Sequence, residues 1–152
     1  MLVKNESNEI ETVSYNISEY ALNGTLLSYV KTSVTTFPEA VISFIFLQIA
    51  HAVHHIHSNN YAHLDLKLNN ILLDEFFNVW VGDFGSAMKL TKNKLSSRRR
   101  GTQRYMAPEV KNLKSGQTYD AQKADVYSLG VCLFILTFKT FPLYVEELEK
   151  KQ

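Results

Sequence analysis

The stretch HLDLKLNNILLDE, residues 63–75, sets Asp65, Lys67 and two asparagines among leucines and an isoleucine. A buried strand gains nothing from an aspartate and a lysine, and a solvent-exposed loop gains nothing from so many leucines. The stretch therefore raises the question of which chemistry needs Asp65, Lys67 and Asn70 at this spacing on an apolar support.

Length and composition are those of one ordinary globular domain, with 152 residues, 45% apolar and 20% charged. The formal net charge of +1 gives no overall bias toward nucleic acid or anionic lipid. The single cysteine, Cys132, excludes an internal disulfide. The first ten residues are polar and lack the apolar core of a secretory signal, so we expect an intracellular, cytoplasmic protein.

Hydrophobic periodicity predicts a series of short strands and longer helices. We expect a polar tail over 1–11, a strand within 11–20, helices over 25–32 and 38–58, paired strands at 70–74 and 78–83, and a buried helix over 122–138. Residues 86–107 have few large apolar groups and are expected to form a long surface loop. The charged stretch VEELEKK near the end is expected to be a surface turn or helix.

Two apolar runs, 41–50 and 126–138, raise the question of a membrane span. Both are shorter than the roughly 18 residues that a helix needs to cross a bilayer. We therefore expect two buried core helices and no membrane span.

Four motifs follow one another along the chain. HLDLKLNN precedes GDFG (82–85), GTQRYMAPE (101–109) and DVYSLG (125–130). In this order they resemble the serine/threonine type of eukaryotic protein kinase catalytic domain, with its H-R-D loop, D-F-G and A-P-E. The resemblance covers about residues 12–142.

This resemblance implies an α+β, protein-kinase-like fold, mainly the helical C-terminal lobe with short β-hairpins at the active site. It divides the chain into the polar tail, 1–11, and a partial kinase domain, 12–152. That domain would run from the hinge to the large buried helix, with most of the N-terminal lobe missing.

By the same resemblance, the chain uses ATP and Mg²⁺ to phosphorylate Ser or Thr hydroxyls of protein substrates, and no nucleic-acid partner is expected. Asp65 would be the catalytic base, and Lys67 would neutralise charge on the transferred phosphoryl group. Asn70 and Asp83 would hold Mg²⁺, which prefers hard oxygen ligands. Leu72 would form the apolar floor beneath the adenine ring.

The resemblance implies further roles in two regions: the hinge, which SEYALNGTL (18–26) resembles, and the activation segment, which runs from GDFG to APE. Ser18 would be the gatekeeper, Glu19 and Ala21 would hydrogen-bond adenine through their backbones, and Thr25 would lie near the ribose. Thr102, together with Lys67, resembles the serine/threonine class. Asp125 would brace the backbone of the catalytic loop, which is how a buried carboxylate avoids its desolvation cost.

The chain also departs from the family. Leu64 stands where an arginine usually pairs with a phosphate on the activation loop, so activity should not depend on that switch, and Ser96→Ala and Ser97→Ala should leave it largely intact. No G-x-G-x-x-G, β3 lysine or αC glutamate precedes the hinge in these residues. In the family Glu109 would pair with an arginine of a later helix, and here we expect it to be unpaired or solvated.

These departures keep a second function open, a catalytically inactive kinase-like binding module or truncated fragment. Missing cover on helix 122–138 would expose an apolar patch suited to self-association or partner docking.

Two clusters have alternative interpretations. His51 and His55 are one helical turn apart and could bind a metal, although histidines also suit the C-terminal end of a helix. The basic run 98–100 could bind an acidic substrate or nucleic acid, although such runs are more often solvated loops.

Overall fold

The computed structural model describes residues 2–4, 10–12 and 17–142. The elements in chain order are β1 (Leu2–Lys4), β2 (Ile10–Thr12), α1 (Leu26–Thr32), α2 (Glu39–Ser58), β3 (Tyr61–Ala62), β4 (Ile71–Leu73), β5 (Val79–Val81), β6 (Met88–Lys89), β7 (Leu95–Ser96), α3 (Pro108–Lys111), β8 (Tyr119–Asp120) and α4 (Ala121–Phe138). The VEELEKK stretch and residues 13–16 lie outside the described residues.

The three predicted helices are present within one residue of their expected bounds. Thr25 begins α1, because its side chain accepts a hydrogen bond from the amide of Ser28. Pro38 directly precedes α2, where its fixed φ suits the start of a helix. Asp120 begins α4 by accepting hydrogen bonds from two amides of the first turn.

The strands form four antiparallel pairs, β1–β2, β3–β6, β4–β5 and β7–β8. The β4–β5 hairpin is the predicted pair of strands, and Leu72 lies opposite Trp80 in its register. Residues 1–11 were expected to be a polar tail, and the strand pair β1–β2 was not predicted there. The pair forms where Leu2, Val3 and Ile10 flank a polar stretch of sequence. The boundary at residue 12 stays a prediction.

The expected surface loop over 86–107 is wrong in part. Its residues contribute β6, which pairs with β3, and β7, which pairs with β8. Leu90 and Ser96 are buried. The pairing is non-local and involves only two residues a strand, so the sequence shows no periodicity that would predict it.

The main core lies between α2, α4 and the β4–β5 hairpin, and its fully buried members include Ile49, Leu66, Leu68, Ile71 and Leu136. A second cluster lies beneath the activation segment and includes Leu64, Leu90, Met106, Val110 and Tyr119. The leucines of the opening stretch thus contribute to both clusters. They fix the backbone that carries Asp65, Lys67 and Asn70.

Both long helices are long and apolar enough to cross a membrane by length and composition alone. They have 20 and 18 residues, with mean hydropathy 1.3 and 1.2, so they are longer than the apolar runs within them. A core helix of a soluble protein passes the same test. The length and composition of these two helices are therefore weak evidence for a membrane span.

Large apolar side chains are exposed on both helices. Val126 and Phe138 are exposed on α4, where the sequence predicted a patch, and Phe44 and Leu47 are exposed on α2. Self-association or partner docking through these surfaces stays a prediction.

Candidate active site

Asp65, Lys67 and Thr102 form a closed set of hydrogen bonds. Lys67 Nζ donates to Asp65 Oδ2 at 2.6 Å and to Thr102 Oγ1 at 3.0 Å. Thr102 Oγ1 in turn donates to Asp65 Oδ1 at 2.7 Å. The catalytic loop and the activation segment, 37 positions apart in sequence, therefore meet at one carboxylate.

The electrostatics of Asp65 favour its ionised form. Burial alone would raise the pKa of this carboxyl, but hydrogen bonds from Lys67 and Thr102 and the Lys67 charge outweigh it and lower the pKa. Asp65 is therefore a carboxylate at neutral pH and can accept a hydrogen bond from a substrate hydroxyl.

Asn70 lies beside this set and is nearly buried. Its Nδ2 donates to the Asp65 carbonyl at 2.9 Å, which orients the amide and directs Oδ1 away from that bond. Its backbone carbonyl accepts from the amide of Gly82 at 2.8 Å. This bond ties the catalytic loop to the strand end that carries Asp83.

Asp125 braces the catalytic loop from α4, as predicted. Its carboxylate, 1% exposed, accepts hydrogen bonds from the amides of His63 at 2.8 Å and Leu64 at 2.7 Å. His57 Nε2, at the end of α2, donates to the same carboxylate at 2.9 Å. The buried charge is therefore satisfied from three sides.

His63 is a functional residue to which the sequence interpretation gave no role. It is fully buried, its Nε2 donates to the Gly82 carbonyl at 3.0 Å, and its Nδ1 accepts from the Asp65 amide at 3.2 Å. These partners assign the neutral tautomer with the proton on Nε2. His63 therefore joins the two segments that carry Asp65 and Asp83.

Leu64 adopts a left-handed backbone conformation, φ 62°, which is unusual for a leucine. The Asp125 carboxylate holds this conformation through the Leu64 amide. Gly101, at φ 102°, lies so close to the Leu64 carbonyl oxygen that a Cβ there would come within 2.4 Å of it. Glycine is therefore required where the activation segment crosses the catalytic loop.

An open cleft of roughly 760 Å³ lies next to the GDFG motif, and its lining includes Ser18, Glu19, Leu72, Trp80 and Asp83. Four of these are predicted nucleotide or metal residues, and the structure brings them together. The sequence interpretation missed Trp80, which lies opposite Leu72 in the register of the hairpin. The side chains of Ser18, Glu19 and Asp83 are exposed to solvent.

Ala21 and Thr25 do not line this cleft in the part of the chain that the structure describes. Ala21 is buried, and its carbonyl accepts from the Gly24 amide at 3.1 Å. Thr25 uses its side chain to begin α1. Their roles toward adenine and ribose stay predictions.

Three of the four histidines of α2 have side-chain partners nearby. His54 and His55 lie within hydrogen-bond distance of Ser58 and Asn59, and His57 pairs with Asp125. Among the described residues, no group of three potential ligands is placed to hold a metal ion. Glu109 is exposed in the first turn of α3.

Comparison with known proteins identifies the family. The protein kinase domain model matches residues 4–152. The chain therefore belongs to the protein kinase domain family, which confirms the predicted family and fold class. The match begins inside the segment expected to be a tail.

Three relatives are kinases by name, and two of the names specify a serine/threonine kinase. The meiosis-specific serine/threonine-protein kinase mek1 of Schizosaccharomyces pombe is 34% identical over 93% of this chain and 34% of its own length. Serine/threonine-protein kinase MRCK gamma of Homo sapiens is 31% identical over 97% of this chain and 10% of its own. The human NUAK family SNF1-like kinase 1 is 37% identical over 83% of this chain and 18% of its own. The chain thus spans 34% or less of the length of these proteins.

Proposed function

We propose that this chain carries the phosphoryl-transfer centre of a serine/threonine protein kinase, which moves the γ-phosphoryl group of ATP to a Ser or Thr hydroxyl of a protein substrate. The closed set of Asp65, Lys67 and Thr102 carries this proposal. Phosphoryl transfer depends on positioning and charge stabilisation rather than on covalent help from the protein. The set supplies both, with one anion and one cation held in fixed geometry.

Asp65 orients the substrate hydroxyl and accepts its proton. Because its pKa is lowered, the carboxylate is a weak base, and it takes the proton late, once the hydroxyl oxygen has begun to bond to phosphorus. Before that point its contribution is to aim the oxygen at the phosphoryl group.

Lys67 stabilises the charge on the transferred phosphoryl group. Its ammonium is held between Asp65 and Thr102, and its side chain remains 20% exposed, so it can also reach a phosphate oxygen. The Lys67–Thr102 contact supports the serine/threonine class, as do the printed names of the mek1 and MRCK gamma relatives.

The side chains of Asn70 and Asp83 offer oxygen donors that fit Mg²⁺. The Asn70 amide donates through Nδ2, which leaves its carbonyl oxygen for a ligand, and the Asp83 carboxylate is exposed beside the cleft. Hard oxygen donors of this kind suit Mg²⁺, which would neutralise charge on the phosphates of ATP. Asp83 is held at φ 59° with its Oδ1 accepting from the Gly85 amide at 3.3 Å.

A second candidate function is a kinase-like binding module that does no chemistry. The openness of the cleft favours it, since Ser18, Glu19 and Asp83 are all exposed. A nucleotide held only from this side keeps much of its contact with water, which lowers its affinity.

The deciding experiment is thermal unfolding of the purified chain with and without Mg²⁺–ATP. Binding to the folded state alone raises the melting temperature, by an amount equivalent to about 2.7 kcal/mol at a ligand concentration 100 times Kd. Asp83→Ala should abolish the shift, whereas Glu75→Ala, a control at an exposed carboxylate in the β4–β5 turn, should retain it.

Transfer of labelled γ-phosphate to a Ser/Thr peptide mixture, lost in Asp65→Asn, would then establish catalysis. A shift without transfer would favour the binding module. No shift in a cooperatively folded sample would contradict the nucleotide site itself.

A further inference from the structure

The segment between the GDFG and APE motifs carries a strong local charge. From residue 84 to residue 108 it has seven lysines and arginines and no aspartate or glutamate, in a chain whose net charge is only +1. Its cations are Lys89, Lys92, Lys94, Arg98, Arg99, Arg100 and Arg104. The positive charge of the chain is therefore concentrated in the segment that meets Asp65.

Arg98 and Arg99, here called the arginine pair, sit on a fixed backbone. The Tyr119 hydroxyl donates to the Arg98 carbonyl at 2.9 Å, and the Arg98 amide donates to Ser96 Oγ at 3.2 Å. Arg100 extends inward and donates to the Ser86 carbonyl at 2.9 Å. The backbone on both sides of the pair is thus anchored while both side chains remain exposed.

Among the described residues, neither arginine of the pair has an ion-pair partner, whereas Lys67 pairs with Asp65 and His57 with Asp125. An exposed guanidinium on a fixed backbone loses less freedom on binding an anion than one on a flexible loop. The pair is therefore suited to an external carboxylate, which arginine can bind with two parallel hydrogen bonds.

The arginine pair also lies close to the acceptor site. Arg99 is three residues from Thr102, whose hydroxyl touches Asp65, so their Cα atoms are at most about 11 Å apart. An extended peptide advances about 3.3 Å per residue, so the pair is within reach of substrate residues roughly three positions from the phosphorylated one.

Resting on the proposed function, we propose that the arginine pair selects protein substrates with Asp or Glu side chains near the phosphorylated Ser or Thr. Lys92 and Lys94, both exposed, add to the same positive field. A peptide is favoured over nucleic acid because residues 85–104 contain no Phe, Tyr or Trp on which bases could stack.

The test measures binding of fluorescent serine peptides by anisotropy, without nucleotide, at about 50 mM salt so that screening is weak. Three peptides differ only in having Glu, Gln or Lys around the serine. We expect the acidic peptide to bind best, by roughly five- to tenfold over the neutral one, as two exposed ion pairs allow. Arg98→Glu/Arg99→Glu should remove this preference and favour the lysine peptide.

The matched control is Lys31→Glu/Lys123→Glu, which makes the same charge change at exposed positions on α1 and α4. It should keep the acidic preference, and Arg98→Gln/Arg99→Gln should lose it without a reversed charge. Equal binding of the three peptides, no binding, or an equal effect of the control would overturn the inference. So would tighter binding of a mixed-sequence single-stranded DNA than of the acidic peptide.

The Mg²⁺–ATP thermal shift, run on the same samples, separates this inference from the proposed function. A thermal shift without peptide selectivity would contradict the acidic preference and leave the proposed nucleotide site standing. Selectivity for the acidic peptide that depends on the arginine pair but comes with no thermal shift would keep the pair as a peptide-binding surface and contradict the proposed nucleotide site.

Discussion

Asp65 and Asp83 are both assigned to phosphoryl transfer, and the chain surrounds the two carboxylates in opposite ways. Asp65 accepts from Lys67 and Thr102, and the loop that carries it is held from beneath by the buried Asp125. Asp83 is exposed where it lines the open cleft, and its Oδ1 accepts a hydrogen bond from the Gly85 amide at 3.3 Å.

This difference follows from what each carboxylate must meet. The proposed partner of Asp65 is a neutral hydroxyl, so the charge and orientation of Asp65 have to come from the protein in advance. The proposed partner of Asp83 is a cation, which supplies its own charge and needs an oxygen that is open to approach. On this proposal the hydroxyl side of the site is organised by the protein itself, whereas the nucleotide side depends on its ligand.

Asp125→Ala should break the hydroxyl side of this comparison and have the largest effect. It leaves the buried amides of His63 and Leu64 and the His57 ring without their acceptor, so we expect a loss of about 3–5 kcal/mol in unfolding free energy by urea titration. Asp120→Ala, which removes the first-turn cap of the same helix, should lose only about 1 kcal/mol. Equal losses would mean that Asp125 is not the brace.

Gly101→Ala should separate the activation segment from the catalytic loop. Backbone strain contributes roughly 1–3 kcal/mol, and the overlap of the new Cβ with the Leu64 carbonyl contributes a similar roughly 1–3 kcal/mol. Gly116→Ala is the matched control, because Gly116 also has positive φ, 82°, but no atom within 4 Å of a Cβ there. If both variants lose the same free energy, the close approach at Gly101 has no energetic consequence.

The single tryptophan should report on the nucleotide side directly. Trp80 lines the cleft with Leu72, so titration with Mg²⁺–ATP should change its fluorescence in a saturable way. Asp83→Ala should weaken the apparent affinity by about tenfold or more, which is about 1.4 kcal/mol. Unchanged emission in a sample that shows a thermal shift would place the nucleotide elsewhere.

Much of the fold could be predicted because its signals are local. The periodicity of α1 and α2 and the hairpin β4–β5 each lie within one stretch of sequence. The meeting of Asp65, Lys67 and Thr102 was anticipated only through the family resemblance, since residues 37 positions apart show no pattern that links them.

The remaining features depend on long-range pairing of very short segments. Strands β6 and β7 have two residues each and pair with β3 and β8, so neither has a period that can be recognised. The burial of Ser96 follows from that pairing. The role of His63 was missed for a similar reason, because its partner is the carbonyl of Gly82, and a backbone group leaves no mark in the sequence.

The acid limb of stability should sharpen the contrast between the carboxylates. Because the folded-state pKa of Asp65 is lowered, its contribution is complete above its unfolded pKa of about 3.9 and is lost as pH falls through the lower folded value. Asp65→Asn should flatten the dependence of unfolding free energy on pH in that window. Glu75→Gln, at an exposed carboxylate, should change the slope less, and an equal change would contradict the special environment of Asp65.

The smallest effect is expected from the serines of the activation segment. Leu64 is buried with Leu90 in the second core cluster, so apolar packing holds the activation segment to the catalytic loop. An arginine at position 64 would instead need a phosphate on that segment as its partner. Ser97→Ala, at an exposed hydroxyl, should leave phosphotransfer unchanged. Ser96→Ala removes the acceptor of the Arg98 amide and a side-chain contact with Tyr119, and it should cost about 1 kcal/mol of stability. Complete loss of transfer in Ser97→Ala, with the fold intact, would show that a phosphate there completes the site.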